Sequence, residues 1–289
     1  MMRFNVSPIQ RIALFFCVSA LCMIIGAVAV GVCMYGGVTP QRMRIATILQ
    51  DVMMFVLPAI ATAVVITRQS AEFLQLRRPD WRGLCLAMLT LVVAVPAMNC
   101  IIDWNQNIAL PDSMKGLEEW MRASEENAAS MIEVMIGGSG IGSLVVSILI
   151  AGLLAGFSEE IFFRGALQRL IATFPVNIHV AVWVSAVIFS AVHMQFYGFV
   201  PRLLLGAFFG YVVAWSGSLW VSVAIHSLNN ILASVEMWMN NNDMPNQIDS
   251  IGAGGASNDW ILVGVSLILT VILLRCTYVA FRKNISGQP

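Results

Sequence analysis

Long apolar runs, separated by short polar connections, dominate the pattern of this chain. A membrane-spanning helix needs about 20 mostly apolar residues, and eight runs approach or exceed that length. They are Ile12–Tyr35, Ala46–Thr67, Gly83–Ile102, Ile141–Ile171, Ile178–Phe196, Val200–Trp215, Leu219–Met239 and Trp260–Phe281. The pattern predicts an all-α, polytopic membrane helix bundle with about eight transmembrane helices.

The third connection, residues 104–140, is the only sizeable polar stretch between these runs. Met114, Leu117 and Met121 recur there at helical spacing, and acidic residues outnumber basic ones. The sequence therefore predicts an acidic amphipathic helix on the outer surface. Two roles stay open for this helix: a solvated surface element, or an element that controls the access of substrate.

Composition supports a membrane protein. Of the 289 residues, 58% are hydrophobic and 11% are charged, whereas soluble domains carry about 25% charged residues. Mean hydropathy is +0.81. A formal net charge of zero argues against a general basic surface for nucleic acid. We expect an integral, multi-pass protein surrounded by a lipid bilayer, in a bacterial cytoplasmic membrane.

Basic residues in the connections predict the orientation of the bundle, because cytoplasmic loops carry an excess of Lys and Arg. The second connection contains Arg68, Arg77, Arg78 and Arg82, whereas the seventh contains no Lys or Arg. Both termini are therefore expected to be cytoplasmic. We divide the chain into three helices with the acidic segment (1–140), a four-helix core (141–240), and an outer loop with the last helix (241–289).

Polar and ionisable residues inside the predicted helices concentrate in three places, and such residues are rare in a membrane and usually functional. The places are Glu159-Glu160…Arg164, Phe189…His193 and His226…Asn230. Glu160 and Arg164 are four residues apart, so they share a helical face and are expected to form an ion pair. Glu159 is rotated by about 100° from Glu160 and can point into the bundle.

The three places are expected to lie at one depth in the bundle. A rise of about 1.5 Å per residue, counted from the connecting turns, puts Glu159, His193 and His226 at similar heights. Each motif alone has a structural interpretation, as a buried ion pair, a hydrogen-bonded core histidine or a polar contact between helices. Together they form a set of side chains that can activate water.

The order Glu-Glu-x-x-x-Arg, Phe-x-x-x-His, His-x-x-x-Asn resembles the type II CAAX prenyl endopeptidase family, also called the CPBP or ABI family, over about Gly152 to Ala233. The resemblance implies an intramembrane protease core. It implies that Glu159 and His193 activate the attacking water, while His226 and Asn230 stabilise the oxyanion. With the supporting pair, the candidate catalytic residues are Glu159, Glu160, Arg164, His193, His226 and Asn230.

A metal requirement is left open by these residues. Zn²⁺ can be held by one carboxylate and two imidazoles with a position left for water, and the ligands would then be Glu159, His193 and His226. The two-histidine His-Glu-x-x-His motif of many zinc proteases is not present in the three places. A metalloprotease and a glutamate-dependent protease are both compatible with the pattern.

The sequence thus predicts an intramembrane endopeptidase whose partners are membrane-protein or lipidated-peptide substrates, with no nucleic acid. The competing hypothesis is a non-catalytic membrane protein on the same fold, such as an immunity-like protein, a scaffold or a transporter. Buried Glu and His residues also suit a proton relay. Against a transporter, the sequence has no visible repeat of broken helices.

Overall fold

The structure is a computed structural model that describes residues 6–136, 138–244, 251–252 and 259–285. Regular structure in these residues is helical, which confirms the predicted all-α class. The longer helices are α1 (Pro8–Met34), α2 (Pro40–Ile66), α3 (Trp81–Val93), α4 (Val95–Gln106), α5 (Lys115–Ile136), α6 (Ile141–Ile171), α7 (Ile178–Ala191), α8 (Phe199–Ser216), α9 (Leu219–Asn241) and α10 (Asp259–Ile285). Single turns form at Ser70–Phe73 and Asp112–Met114.

Local sequence signals explain where several helices begin. Ser7 and Gln10 form a capping box at the start of α1, in which each side chain bonds the backbone N–H of the other residue. The Asp80 carboxylate accepts from the N–H of Gly83 at 2.9 Å and caps α3. A local signal also ends α8. Gly217, the residue after its last turn, adopts a left-handed conformation with φ of 65°, which is a common way for a helix to end.

The number of membrane spans differs from the prediction of eight, and that count is not confirmed. Among the residues that the structure describes, five helices are long and apolar enough to cross a membrane, namely α1, α2, α6, α8 and α10. A sixth span arises if α3 and α4, which are bent by 48°, are counted together. Pro96 lies at the start of α4, and a proline in an otherwise helical run kinks it.

The other two predicted spans correspond to α7 and α9, which are not among the helices that are long and apolar enough to cross a membrane. Helix α7 has 14 residues and ends at Ala191, earlier than the predicted Phe196. Helix α9 has 23 residues but includes His226, Asn229 and Asn230, which lower its hydropathy. The orientation of the termini and the three-part division of the chain stay predictions, and residues 245–250 and 253–258 of the predicted outer loop lie outside the described residues.

Helices α6 and α9 pack closely along their length, and this contact sets the position of the polar residues. A Cβ added at Gly156 of α6 would lie 2.5 Å from Ser227 Oγ and 3.1 Å from its backbone N, and one added at Gly152 would lie 2.8 Å from Ile231. Small residues of this kind allow two helix backbones to approach each other in a membrane. Helix α6 also contains two π-helical stretches, Ile148–Leu154 and Ile161–Leu167.

The amphipathic helix predicted in residues 104–140 is present as α5, and it docks on the bundle. Ser124 Oγ donates to the carbonyl of Met194 at 2.9 Å, and the rings of Trp120 and Phe196 are 5.2 Å apart. At its other end, the carbonyl of Met135 accepts from Arg44 Nε at 2.9 Å. Helix α5 therefore joins α2 to the turn that follows α7.

Candidate active site

Glu160 and Arg164 form the predicted ion pair in the middle of the helix bundle. Both side chains are completely buried, and Arg164 Nη1 donates to Glu160 Oε1 at 2.5 Å. Arg164 Nη2 donates to the carbonyl of Gly206 on α8 at 2.9 Å. The guanidinium carbon lies 4.4 Å from the centre of the Phe189 ring, a cation–π distance. The pair thus ties α6 to α8 and to the end of α7.

His226 extends this ion pair toward the site. Its Nδ1 lies 2.8 Å from Glu160 Oε1, and its ring stacks on Phe209 with centroids 4.8 Å apart. We assign Nδ1 as the donor because Glu160, held by Arg164, is an ionised carboxylate that can only accept. The Nε2 atom then faces Glu159, at 3.8 Å from Oε2.

His193 is held in the same tautomer by a different partner. It lies two residues beyond the end of α7, where its Nδ1 is 2.8 Å from the carbonyl of Phe189. A carbonyl oxygen only accepts, so Nδ1 carries the proton and Nε2 presents its lone pair. That Nε2 lies 3.9 Å from Glu159 Oε2. The Phe189…His193 spacing therefore corresponds to one hydrogen bond that orients the imidazole.

Glu159 is the point at which the three motifs meet. Its Oε2 atom faces the Nε2 atoms of both His193 and His226, and its side chain keeps 14% of its exposure. Separations of 3.8 and 3.9 Å exceed the limit of a direct hydrogen bond and suit one bridging water. The adjacent Glu160 points the other way, into its ion pair, as the helical rotation between the two residues predicts.

Asn230 lies about one turn beyond His226 on α9, and its amide is bonded elsewhere. Nδ2 donates to the carbonyl of Ala151 at 3.1 Å, and Oδ1 accepts from Asn229 at 3.3 Å. Ala151 belongs to the π-helical stretch Ile148–Leu154 of α6. In the described part of the chain, no hydrogen bond joins Asn230 to Glu159 or the histidines. Its predicted oxyanion role stays a prediction.

The donor set at Glu159 has the chemistry of a zinc site, but its spacing does not match one. Both histidines bond a second group through Nδ1, as metal ligands usually do. In residues 6–136, 138–244, 251–252 and 259–285, however, no group of three or more His, Cys, Asp or Glu side chains is arranged to hold a metal ion. The three predicted ligands would have to move closer together to bind Zn²⁺.

Two charged residues near Glu159 are missing from the predicted set. Asp51 of α2 is buried with 5% exposure, its Oδ2 has no hydrogen-bond partner, and it interacts electrostatically with Glu159. Arg202 of α8 also interacts electrostatically with Glu159. Each is the only charged residue inside its predicted span. Because ionisable residues within membrane helices are usually functional, the sequence alone could have identified both as candidate site residues.

An open cleft of about 340 Å³ lies beside the turn that carries His193, between α5 and the end of α4. It is separate from Glu159, His193 and His226. Its lining residues are Gln106, Arg122, Glu125, Glu126, Ala129 and Tyr197. Burial raises the pKa of the Glu125 carboxyl, and a hydrogen bond from Arg122 lowers the pKa of Glu118. Helix α5 thus places charged side chains along this cleft.

Residues 141–232 match the family of Rce1-like type II CAAX prenyl endopeptidases. This segment is about a third of the chain and contains all six predicted site residues, so the predicted resemblance is confirmed. An uncharacterized protein of Bacillus subtilis (strain 168), YpbD, is 29% identical over 83 residues. That match covers 27% of this chain and 39% of the Bacillus protein. No solved structure matches the chain significantly.

The apolar helices support an integral membrane protein. The chain spans about two fifths of the length of its Bacillus relative.

Proposed function

We propose that this protein is an intramembrane endopeptidase that hydrolyses peptide bonds of membrane-associated or prenylated-type protein substrates. The observation that carries the proposal is the arrangement of Glu159, whose Oε2 lies 3.9 Å from His193 Nε2 and 3.8 Å from His226 Nε2. A carboxylate between two imidazoles of fixed tautomer can bind one water molecule and move its protons.

Glu159 acts as the general base in the first half of the reaction. It accepts a proton from the bound water while the water oxygen attacks the carbonyl carbon of the scissile bond. The C–O bond forms as the carbonyl electron pair moves onto its oxygen, giving a tetrahedral oxyanion. Because the side chains of Glu159 and His226 are 14% and 6% exposed, this charge develops in surroundings that contain little water, where electrostatic stabilisation is strong.

His193 completes the second half of the reaction. Its Nε2 faces Glu159 and is a lone-pair acceptor while Nδ1 donates to the Phe189 carbonyl. It can therefore take the proton from Glu159 and deliver it to the leaving nitrogen as the C–N bond breaks. The products are a carboxylic acid and an amine, which exchange the second water proton to become a carboxylate and an ammonium ion, and the side chains return to their starting protonation states.

Glu160 and Arg164 support the reaction without contacting the scissile bond. Glu160 Oε1 accepts from both Arg164 and His226, which fixes the tautomer and orientation of the imidazole. This is the role of the third group in many catalytic triads, where a carboxylate orients a histidine.

The alternative mechanism for the same reaction requires a bound zinc ion. Glu159, His193 and His226 would then be the ligands, and the metal would supply a bound water of lowered pKa. Because their spacing does not fit a metal site, no step above uses one.

The decisive experiment measures proteolysis by purified protein in liposomes, with a library of membrane-anchored and lipidated peptides. Glu159→Gln is nearly isosteric but cannot accept the water's proton, so we expect a rate loss of about 10²–10⁴-fold with an unchanged fold. Glu133→Gln on α5 is the matched control, since Glu133 is exposed and should keep full activity.

Two results would contradict the proposal. Full activity of Glu159→Gln would exclude Glu159 as the base. Absence of cleavage by the wild type across the library, with Glu159→Gln equally folded, would favour the competing hypothesis of a non-catalytic scaffold, immunity-like protein or transporter.

A further inference from the structure

The end of α7 determines which way the His193 imidazole points. In a continuing α-helix, the carbonyl of Phe189 would accept from the backbone N–H of His193, four residues further along. Helix α7 ends at Ala191, and among the described residues the His193 N–H makes no backbone hydrogen bond. The Phe189 carbonyl instead accepts from His193 Nδ1 at 2.8 Å. The early end of α7 therefore frees the acceptor that orients the ring.

Met194 is the residue at which the chain leaves the helical path. Its φ of 53° is left-handed, and its N–H bonds the carbonyl of Ala191 at 3.0 Å. A left-handed backbone is unfavourable for a residue with a side chain and persists where surrounding contacts hold it. The side chain of Met194 is 47% exposed, so its own packing supplies little of this support. Contacts to the backbone of Met194 must supply the rest.

The backbone of Met194 is held by a side chain of α5. Ser124 Oγ donates to the Met194 carbonyl at 2.9 Å, one residue beyond His193. In a longer α7 this carbonyl would point along the helix axis, away from a neighbouring helix. The hydrogen bond from Ser124 therefore stabilises the left-handed conformation relative to a continued helix.

Helix α5 contacts the same turn at two further points, which keeps Ser124 in place. The rings of Trp120 and Phe196 are 5.2 Å apart. The guanidinium carbon of Arg122 lies 4.6 Å from the centre of the Tyr197 ring. Helix α5 lies outside the segment that matches the family, so this support comes from a part of the chain that the match does not cover.

The remaining contacts of the turn act farther from His193. Asn105 of α4 donates to the Phe196 carbonyl at 3.2 Å and accepts from the Val200 N–H at 2.9 Å. Arg202 Nη2 donates to the side chain of Gln195 at 2.6 Å, which leaves the backbone of the turn free. Support for the backbone next to His193 thus comes from α5.

We propose that Ser124 is a positioning residue for His193. By bonding the Met194 carbonyl it ends α7 before His193, which frees the Phe189 carbonyl for Nδ1 and turns Nε2 toward Glu159, 3.9 Å away. Without this bond, Met194 can return to a right-handed backbone, α7 lengthens, and the imidazole loses its acceptor. The inference rests on the proposed endopeptidase function and gives Ser124 no chemical step of its own.

The first test compares Ser124→Ala and Ser124→Thr with the wild type in the liposome assay. Ser124→Ala should lower kcat about 2–10-fold, the factor that corresponds to one net hydrogen bond. KM should not change, because His193 acts in proton transfer. Ser124→Thr keeps the hydroxyl and should keep the rate. Ser130→Ala on the same helix is the control, because Ser130 Oγ bonds the carbonyl of Asn127 within α5.

Substitutions of Met194 test the backbone argument independently. Glycine adopts a left-handed backbone at little cost, so Met194→Gly should restore kcat in Ser124→Ala. Met194→Val should lower kcat further in the same background, because a β-branched residue strongly disfavours positive φ. Opposite effects at a side chain that is 47% exposed would not be explained by lost packing. A Ser124→Ala/Met194→Gly variant no faster than Ser124→Ala would overturn the proposal.

Ring ¹⁵N spectra test the position of His193 without any measurement of activity. The chain has three histidines, so labelling with ¹⁵N-histidine gives three rings, and His193→Gln identifies the relevant one. At a pH where the ring is neutral, wild-type His193 should be protonated at Nδ1. In Ser124→Ala the Nδ1–H tautomer should fall in step with kcat, and Met194→Gly should restore it.

Three results would overturn the inference and leave the proposed function intact. The first is an unchanged kcat with an unchanged His193 spectrum in Ser124→Ala. The second is a raised KM at constant kcat, since α5 would then control the access of substrate. The third is a lower thermal midpoint with the His193 spectrum unchanged, which would make the contact purely structural. Failure of the wild type to cleave any peptide would instead refute the proposed function, and the ring spectra would still test whether Ser124 orients His193.

Discussion

Arg164→Ala removes one partner from a completely buried ion pair and should be strongly destabilising. The substitution leaves Glu160 as an uncompensated carboxylate with 0% exposure. It also removes the donor to the Gly206 carbonyl and the guanidinium that lies 4.4 Å from the Phe189 ring centre and 5.3 Å from that of Phe209. Three helices therefore lose a common contact at one point.

The magnitude follows from burial. Breaking a buried ion pair by removing one partner costs about 3–5 kcal/mol, and a desolvated cation–π contact adds about 2 kcal/mol or more. For a protein of this size, 1 kcal/mol corresponds to roughly 2–4 °C, so the unfolding midpoint of Arg164→Ala should fall by at least about 6 °C. Glu160→Gln/Arg164→Met removes both charges and should recover most of the loss, because replacing a buried pair by neutral groups is often tolerated.

Thermal unfolding of detergent-solubilised protein is the appropriate assay, with the yield of folded protein as a second readout. The Arg77–Glu72 pair is a control of similar geometry at 2.8 Å, but its side chains are 63% and 53% exposed. Arg77→Ala should cost no more than about 1 kcal/mol, since exposed pairs contribute little. If Arg164→Ala and Arg77→Ala gave the same small shift, the argument that burial makes the Glu160–Arg164 pair structural would be refuted.

Three further outcomes are expected. Gly156→Ala should reduce both stability, by about 1–3 kcal/mol, and peptide cleavage, because its Cβ would meet the Ser227 backbone at 3.1 Å; Gly142→Ala, with nothing within 4 Å, should do neither. Asp51→Asn should leave the thermal midpoint equal or higher, because it removes a buried carboxyl that interacts with Glu159; a large fall would show that Asp51 has a stabilising partner. Reversible inhibition by chelators, with zinc found by elemental analysis, would establish the metal-dependent form, and activity that survives prolonged chelation in metal-free protein would eliminate it.

Helix positions were largely predictable because apolar runs and turn residues are local signals. Helix α6 begins at Ile141 and ends at Ile171, as the run of apolar residues predicts. Helix α7 ends at Ala191, earlier than predicted, because residues 192–194 form a turn in which Met194 has a left-handed backbone with φ of 53°. The run from Gly83 to Ile102 became two helices, since Pro96 interrupts it.

Contacts within one helix of the candidate site were predictable from spacing, whereas contacts between helices were not. Spacing within one helix predicts that Glu160 meets Arg164, and the structure confirms it. Which groups meet between helices depends on helix rotation and approach, which the packing of Gly156 against Ser227 sets. For that reason the Glu160–His226 bond was not predictable from spacing. Neither was the bond from Asn230 to the Ala151 carbonyl.

Glu159 and Glu160 are neighbours in the chain, yet their surroundings give them opposite properties. Glu160 accepts from Arg164 and His226, so its charge is neutralised and its position is fixed. Glu159 has imidazole nitrogens at 3.8 and 3.9 Å and no Arg or Lys within ion-pair distance in the described residues. A carboxylate that is already bonded is a poor base, whereas one that faces two proton carriers can exchange protons with both. The rotation of about 100° between successive helical residues thus separates a supporting carboxylate from a reactive one. It also explains why burying both is compatible with folding: the ion pair offsets the cost of Glu160, and the partly exposed Glu159 retains access to water.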